Sequence, residues 1–184
     1  MPMTLDIPER NGFDSDTNEF ISIKATTLQL EHSLISLKKW EQKWHVPFLD
    51  KKKDKTTEQW IDYIKCMTIT QNVDENIYKY MSVDDLNKVI KYIEDPMSAT
   101  WFNNNEIKGA ASSRNEVVTA EIIYYWMIAL NVPVQFEKWH LNQLLTLIRV
   151  INIKNNPKKM GNKEWAMQRH ALNAKRRAAL HTKG

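Results

Sequence analysis

Ile122-Ile-Tyr-Tyr-Trp-Met-Ile-Ala-Leu130, followed at once by Asn131-Val132-Pro133, is the stretch that decides how the chain is read. Upstream, Ser113 and Glu116 stand three apart, the spacing of a capping box that satisfies the first N–H groups of a helix. The nine apolar residues predict a helix apolar all round, and such a helix wants burial on every side. The run is too short to cross a membrane, which takes roughly 20 residues. Val132-Pro133 ends it, because the residue before a proline is driven out of helical geometry. Trp139, Leu141, Leu144, Leu145, Ile148 and Ile151 then recur near the helical period. The expectation is an antiparallel helix pair from Ser113 to Ile153, forming the centre of the core.

Working outward, Thr4–Ile7 and Phe20–Lys24 alternate apolar and polar residues across a turn-rich stretch at 9–18. This predicts a small N-terminal β-hairpin, with Leu28 and Leu30 able to lengthen it. A lone hairpin is marginal in water, so it must lie on helices or pair with another chain. Its edge is therefore a candidate for assembly. Glu31–Trp44 reads as a helix with Leu30, Leu34, Leu37, Trp40 or Glu41, and Trp44 on one stripe and Lys38, Lys39, Gln42 and Lys43 facing away. Thr57–Met67 reads as a second, with Trp60, Ile61, Ile64 and Met67 along one side, and Asn72–Glu75 breaks it. Ser82 with Asp85 caps a third, whose apolar face is Leu86, Val89, Ile90 and Ile93. Asp95-Pro96 closes that helix, and Thr100–Ser112 is the longest expected surface loop. The expected fold class is mainly α within α+β: a hairpin region at 1–30, a helical core at 31–153, and a basic linker and projecting C-terminal helix at 154–184.

Composition narrows the function. The 184 residues suit one domain with an appended tail, and seven tryptophans supply material for a core. No signal peptide is read, so the chain is expected to be intracellular when made. The formal net charge of +4 is unevenly spread. From Lys154 onward nine basic residues face Glu164 alone, while the preceding part carries more acid than base. A basic segment of this kind suits an acidic partner surface or nucleic acid. Asn162 caps its expected helix, with Trp165, Arg169, Leu172 and Arg176 on one mixed stripe.

Catalytic chemistry is not visible. His32, His45, His140, His170 and His181 never fall at the spacing of a zinc-binding helix. Glu31-His32-Ser33 holds the residue types of a triad, but neighbours on a helix point apart, and the stretch reads as a helix start. Four glycines cannot build a phosphate-cradling loop. Cys66, the only cysteine, excludes a disulfide framework and reads as a core residue. His140 reads as a helix residue at the core edge. No enzyme activity, cofactor or metal is expected. Tryptophan is enriched at protein interfaces. The candidate partner-binding residues are accordingly Trp40, Trp44 and Trp101, joined by Trp165, Arg169, Arg176 and Arg177 of the basic segment.

Several stretches together resemble a known group. They are Phe13-Asp14 with Thr17–Ile21, Leu28–Leu34, Lys39-Trp40-Glu41, Lys43-Trp44 and Pro47-Phe48-Leu49. Tyr63–Thr68, Pro96–Trp101, Glu121–Met127, Trp139–Asn142 and Leu172–Arg177 complete the set. The chain resembles the tail assembly chaperones encoded in the tail-gene clusters of long-tailed bacteriophages and prophages of Gram-positive bacteria. The resemblance implies a non-enzymatic role in the host cytoplasm during assembly. Such a protein binds the tape-measure protein, keeps it soluble, helps recruit tail-tube protein and leaves before the virion is finished. It carries over no catalytic or ligand residues. Homo-oligomerisation is left open, and neither nucleic acid nor membrane is an expected partner. The alternative is a structural virion protein, at the head–tail junction or in the tail.

Overall fold

The computed structural model describes residues 2–14, 18–50, 52, 54–100, 102, 117–155, 169, 170 and 173. It is a mainly helical α+β chain with antiparallel strands at the N-terminus. Two compact units divide it, Met1–Arg149 and Val150–Gly184. The first unit holds nearly all the described elements.

Four strands, β1 (Met3–Ile7), β2 (Arg10–Asp14), β3 (Glu19–Ile23) and β4 (Thr26–Leu30), form two antiparallel pairs, β1 with β4 and β2 with β3. Ile7 faces Thr26 and Arg10 faces Ile23, so both pairs share one register and make a single long ribbon. Pro8, which has no N–H to give, sits at the interruption. A hairpin is thus present, but Thr4–Ile7 pairs with Thr26–Gln29 rather than with Phe20–Lys24, and Arg10–Asp14, expected within the turn, is strand β2. Alternation works as expected in β1 and β4: Leu5, Ile7, Leu28 and Leu30 are buried and the residues between them are not. The outer edge of β4 is closed by the chain leaving the second helix. Ile69 N–H donates to the Gln29 carbonyl at 2.9 Å and Glu31 N–H to the Met67 carbonyl at 2.8 Å.

Helices α1 (Leu34–Trp44), α2 (Thr57–Met67) and α4 (Val83–Glu94) each begin on a reciprocal side-chain cap, from Ser33, Thr56 and Ser82 respectively. A short α3 (Asn76–Lys79) follows the expected break, where Asn72 takes a positive φ of 56°. Then come α5 (Ala120–Ala129), a 3-10 turn (Val134–Lys138) and α6 (Leu141–Asn155).

The core is organised differently from the expectation. Val117–Thr119 are not helical, so α5 starts at Ala120 and no helix runs in from Ser113. Ser113 and Glu116 themselves lie outside the described residues. Only Ala120, Ile123 and Met127 of α5 are buried, and Tyr125 and Ile128 face outward. The reason is packing geometry: α5 lies against α1, which covers one stripe, leaving Ile122, Tyr124 and Trp126 half-buried and Tyr125 and Ile128 exposed. The buried centre is α1 itself. α1 packs on α2, where Leu34, Leu37 and Trp40 are buried together with Tyr63, Ile64 and Met67. Asn131 with φ 52° makes the expected break after α5, but a 3-10 turn separates the two helices, and Trp139 precedes α6 rather than belonging to it.

In α4 the buried face is Asp85, Val89 and Tyr92 rather than the expected Leu86, Val89, Ile90 and Ile93, and Ile90 is exposed. Asp85 is drawn inward by Arg10, whose Nη2 lies 2.8 Å from its Oδ2. Burial pushes the Asp85 carboxyl up, but hydrogen bonds from Ser82 and Arg10 win and hold it below the usual range. The same Arg10 donates to the Tyr80 carbonyl at 3.0 Å. Gly12 completes this anchor: a Cβ there would stand 2.6 Å from the Tyr80 ring. Of the expected C-terminal helix, Arg169, His170 and Asn173 are helical and exposed, and the remaining residues from 156 on lie outside the described ones.

Candidate protein-interaction surface

The tryptophans chosen from sequence divide. Trp40 is fully buried, and its indole N–H donates to the Gln59 carbonyl at 2.9 Å. It cannot line a groove; it joins α1 to α2. Around it Phe48 stacks on Tyr63 with ring centres 3.8 Å apart. Trp44 is half-buried and its indole donates to Asp62 Oδ2 at 2.8 Å, while Lys43 pairs with the other oxygen of that carboxylate. An amphipathic aromatic serves packing and recognition equally well, so residue type alone could not separate these roles. Lys55 covers the cluster from outside, its ammonium 4.7 Å from the Phe48 ring centre, and burial lowers its pKa. Trp101, Trp165, Arg176 and Arg177 lie outside the described residues.

Glu41, one turn after Leu37, is buried, and it anchors two segments. Its Oε1 accepts the Phe48 N–H at 2.8 Å and its Oε2 accepts the Ala120 N–H at 2.7 Å. Thr119 supplies no side-chain cap to α5, so this carboxylate from α1 satisfies the start of that helix. Burial raises the Glu41 pKa against the lowering effect of the two N–H groups.

A second buried polar group joins four segments. His32 Nδ1 lies 2.6 Å from the Tyr63 hydroxyl. The His140 Nε2–H donates to the Tyr92 carbonyl at 3.0 Å, and its Nδ1 is buried without a partner. The two imidazole rings stand 4.9 Å apart, and Ser33 pairs with His140 in an isolated β-bridge. His140 is therefore at the centre of the core rather than its edge. Burial first, and the neighbouring His140 second, lower the His32 pKa to about 3. Burial lowers that of His140 as well. Both are neutral near pH 7 and already engaged in holding the fold. Ser33 is the N-cap of α1, so the helix begins at Leu34 rather than at the expected Glu31. Cys66 is half-buried; burial and then Asp62 push its thiol up, outweighing Lys43 and Lys39. Among the described residues no group of His, Cys, Asp and Glu is arranged to hold a metal ion, and no helix is long and apolar enough to cross a membrane.

What the described surface offers is apolar side chains. On α5 and the following turn, Tyr125 is 67% exposed, Ile128 76% and Val134 64%. Tyr125 and Ile128 stand at helical spacing on the stripe opposite Ile123 and Met127. Sequence reasoning missed them because a wholly apolar run carries no sign of which side meets water. The one available signal was Glu121, exposed and four residues before Tyr125. On the ribbon, Phe20 is 87% exposed and Phe13 49%, their rings packed edge-on with centres 5.2 Å apart. No family model matches the chain, and no curated protein or solved structure matches it.

Proposed function

We propose that the chain is a non-enzymatic, protein-binding assembly factor, and specifically a phage tail assembly chaperone. Its client is the tape-measure protein, and it helps recruit tail-tube protein in the host cytoplasm. The observation that carries this reading is the outward-facing stripe of Tyr125 and Ile128, continued by Val134. A tape-measure protein is long, helical and striped with apolar residues, and it aggregates when left uncovered. A shallow apolar surface on a short helix fits the apolar face of an amphipathic client helix. The resemblance of Glu121–Met127 and the other stretches to tail assembly chaperones supports the same assignment. Trp40 is assigned to the core, and client contact moves to α5 and its turn.

Co-expression with the tape-measure protein and a pull-down tests the proposal. Soluble co-purification is expected, and Ile128→Asp should abolish it while leaving the chain folded. Capture that survives both Tyr125→Asp and Ile128→Asp would refute α5 as the client surface. The exposed Phe13 and Phe20 pair favours a second reading, a structural virion component whose ribbon is an assembly arm. Mass spectrometry of purified particles separates the two: stoichiometric presence in mature virions supports the structural role.

A further inference from the structure

The two halves of the ribbon treat their edges differently. β4 is closed by the Met67–Ile69 backbone, whereas among the described residues nothing pairs with the outer edge of β3. Free strand edges are ordinarily blunted by lysine, proline, a bulge or a very short strand. β3 is Glu19-Phe-Ile-Ser-Ile23, with no proline or lysine, and its register against β2 is unbroken. Its outward-facing residues are Phe20 and Ser22, and among the described residues Phe20 is the most exposed large apolar side chain.

We propose that β3 is a self-association edge: two copies of the chain pair their β3 strands antiparallel about Ile21, making one four-stranded sheet in the order β2-β3-β3-β2. The strand is self-complementary in this arrangement. With Ile21 opposite the partner's Ile21, Phe20 lies opposite the partner's Ser22 and diagonal to the partner's Phe20. Diagonal cross-strand neighbours are within reach of aromatic rings, so each Phe20 is covered by the other copy. No like charges face each other within Phe20–Ser22. Residues of equal parity share a face, so both apolar faces, carrying Ile21 and Ile23, lie on one side of the sheet and both aromatic pairs on the other. A closed two-fold contact uses up both free edges and stops there. This proposal does not depend on the client or on the surface of α5.

Sedimentation of the full chain across a concentration series tests it, together with cross-linking. We expect a dimer, and Phe20→Lys should weaken it by roughly tenfold or more by losing two symmetric contacts and adding repulsion. Its circular dichroism should be unchanged, since Phe20 is exposed. Directly opposed Cα atoms in an antiparallel ladder are about 4.5–5.5 Å apart, within disulfide reach. In a Cys66→Ser background, Ile21→Cys should therefore form a disulfide-linked dimer much faster than Val83→Cys, a control at an exposed site on α4. A chain that stays monomeric at about 200 µM, by mass action, overturns the proposal. So does a dimer in which Ile21→Cys cross-links no faster than the control.

Discussion

Three buried residues, Glu41, His32 and His140, carry more of this fold than their types suggest. Glu41 accepts backbone N–H groups from Phe48 and from Ala120 and, among the described residues, caps the start of α5. Glu41→Ala removes both acceptors and leaves two N–H groups without partners. Hydrogen bonds to a charged group are worth more than neutral ones, so a loss of about 3 kcal/mol is expected in a urea melt. A change under about 0.5 kcal/mol, the range of ordinary surface substitutions, would show that water replaces the carboxylate. His32 and His140 make a prediction about pH. Their folded pKa values lie below the ordinary 6.5, so the unfolded chain takes up protons that the folded chain refuses. Stability is then fully present above pH 6.5 and falls as the solution is acidified, for His32 down to about pH 3. Well below pH 6.5 the slope from His32 is about 1.4 kcal/mol per pH unit, and His140 adds to it in the same direction. Glu41, whose pKa burial raises, gains stability on acidification, so a urea midpoint that falls from pH 6.5 to 5 reports the histidines against it. His32→Gln should flatten that fall.

At the scale of elements, α5 gives the sharpest contrast. Ile123 is fully buried against α1 and Ile128 is three-quarters exposed, although both sit in one apolar run. Ile123→Ala should cost about 2–4 kcal/mol by opening a cavity. Ile128→Ala should stay within about 0.5 kcal/mol. Equal costs in thermal or urea melts would mean that the outer stripe is covered in the free chain. The pair also shows what could be read from sequence. The Ser82–Asp85 cap, the break at Asn131 and the alternation of Leu28 and Leu30 were legible, because each rests on residues within one or two turns. The buried face of α4 was not, because Arg10, 75 positions from Asp85, rotates a carboxylate inward. The start of α5 was not legible either, since its cap comes from Glu41, 79 positions away. The interaction surface was hardest of all: Trp40 and Ile128 are both large and apolar, and only their neighbours from other elements decide which one meets water.

For the whole molecule, charge and core occupy different lengths of chain. Every buried apolar side chain among the described residues falls between Leu5 and Ile148. The strongest positive charge begins after that, with eight lysines and arginines from Lys158 to Lys183 and Glu164 as the sole acid. A cooperative melt needs a shared apolar core rather than surface charge. A chain ending at Asn155 should therefore keep its helical circular dichroism and unfold in one transition, with its net charge changed from +4 to negative. Loss of the single transition would place part of the folding core beyond Asn155. The same truncation separates electrostatic from apolar client binding. If α5 holds the client, tape-measure capture persists in the truncated chain and resists salt, because apolar contacts are not screened. If the basic segment supplies the contact, capture is lost on truncation, and in the full chain it weakens as salt is raised beyond about 0.15 M.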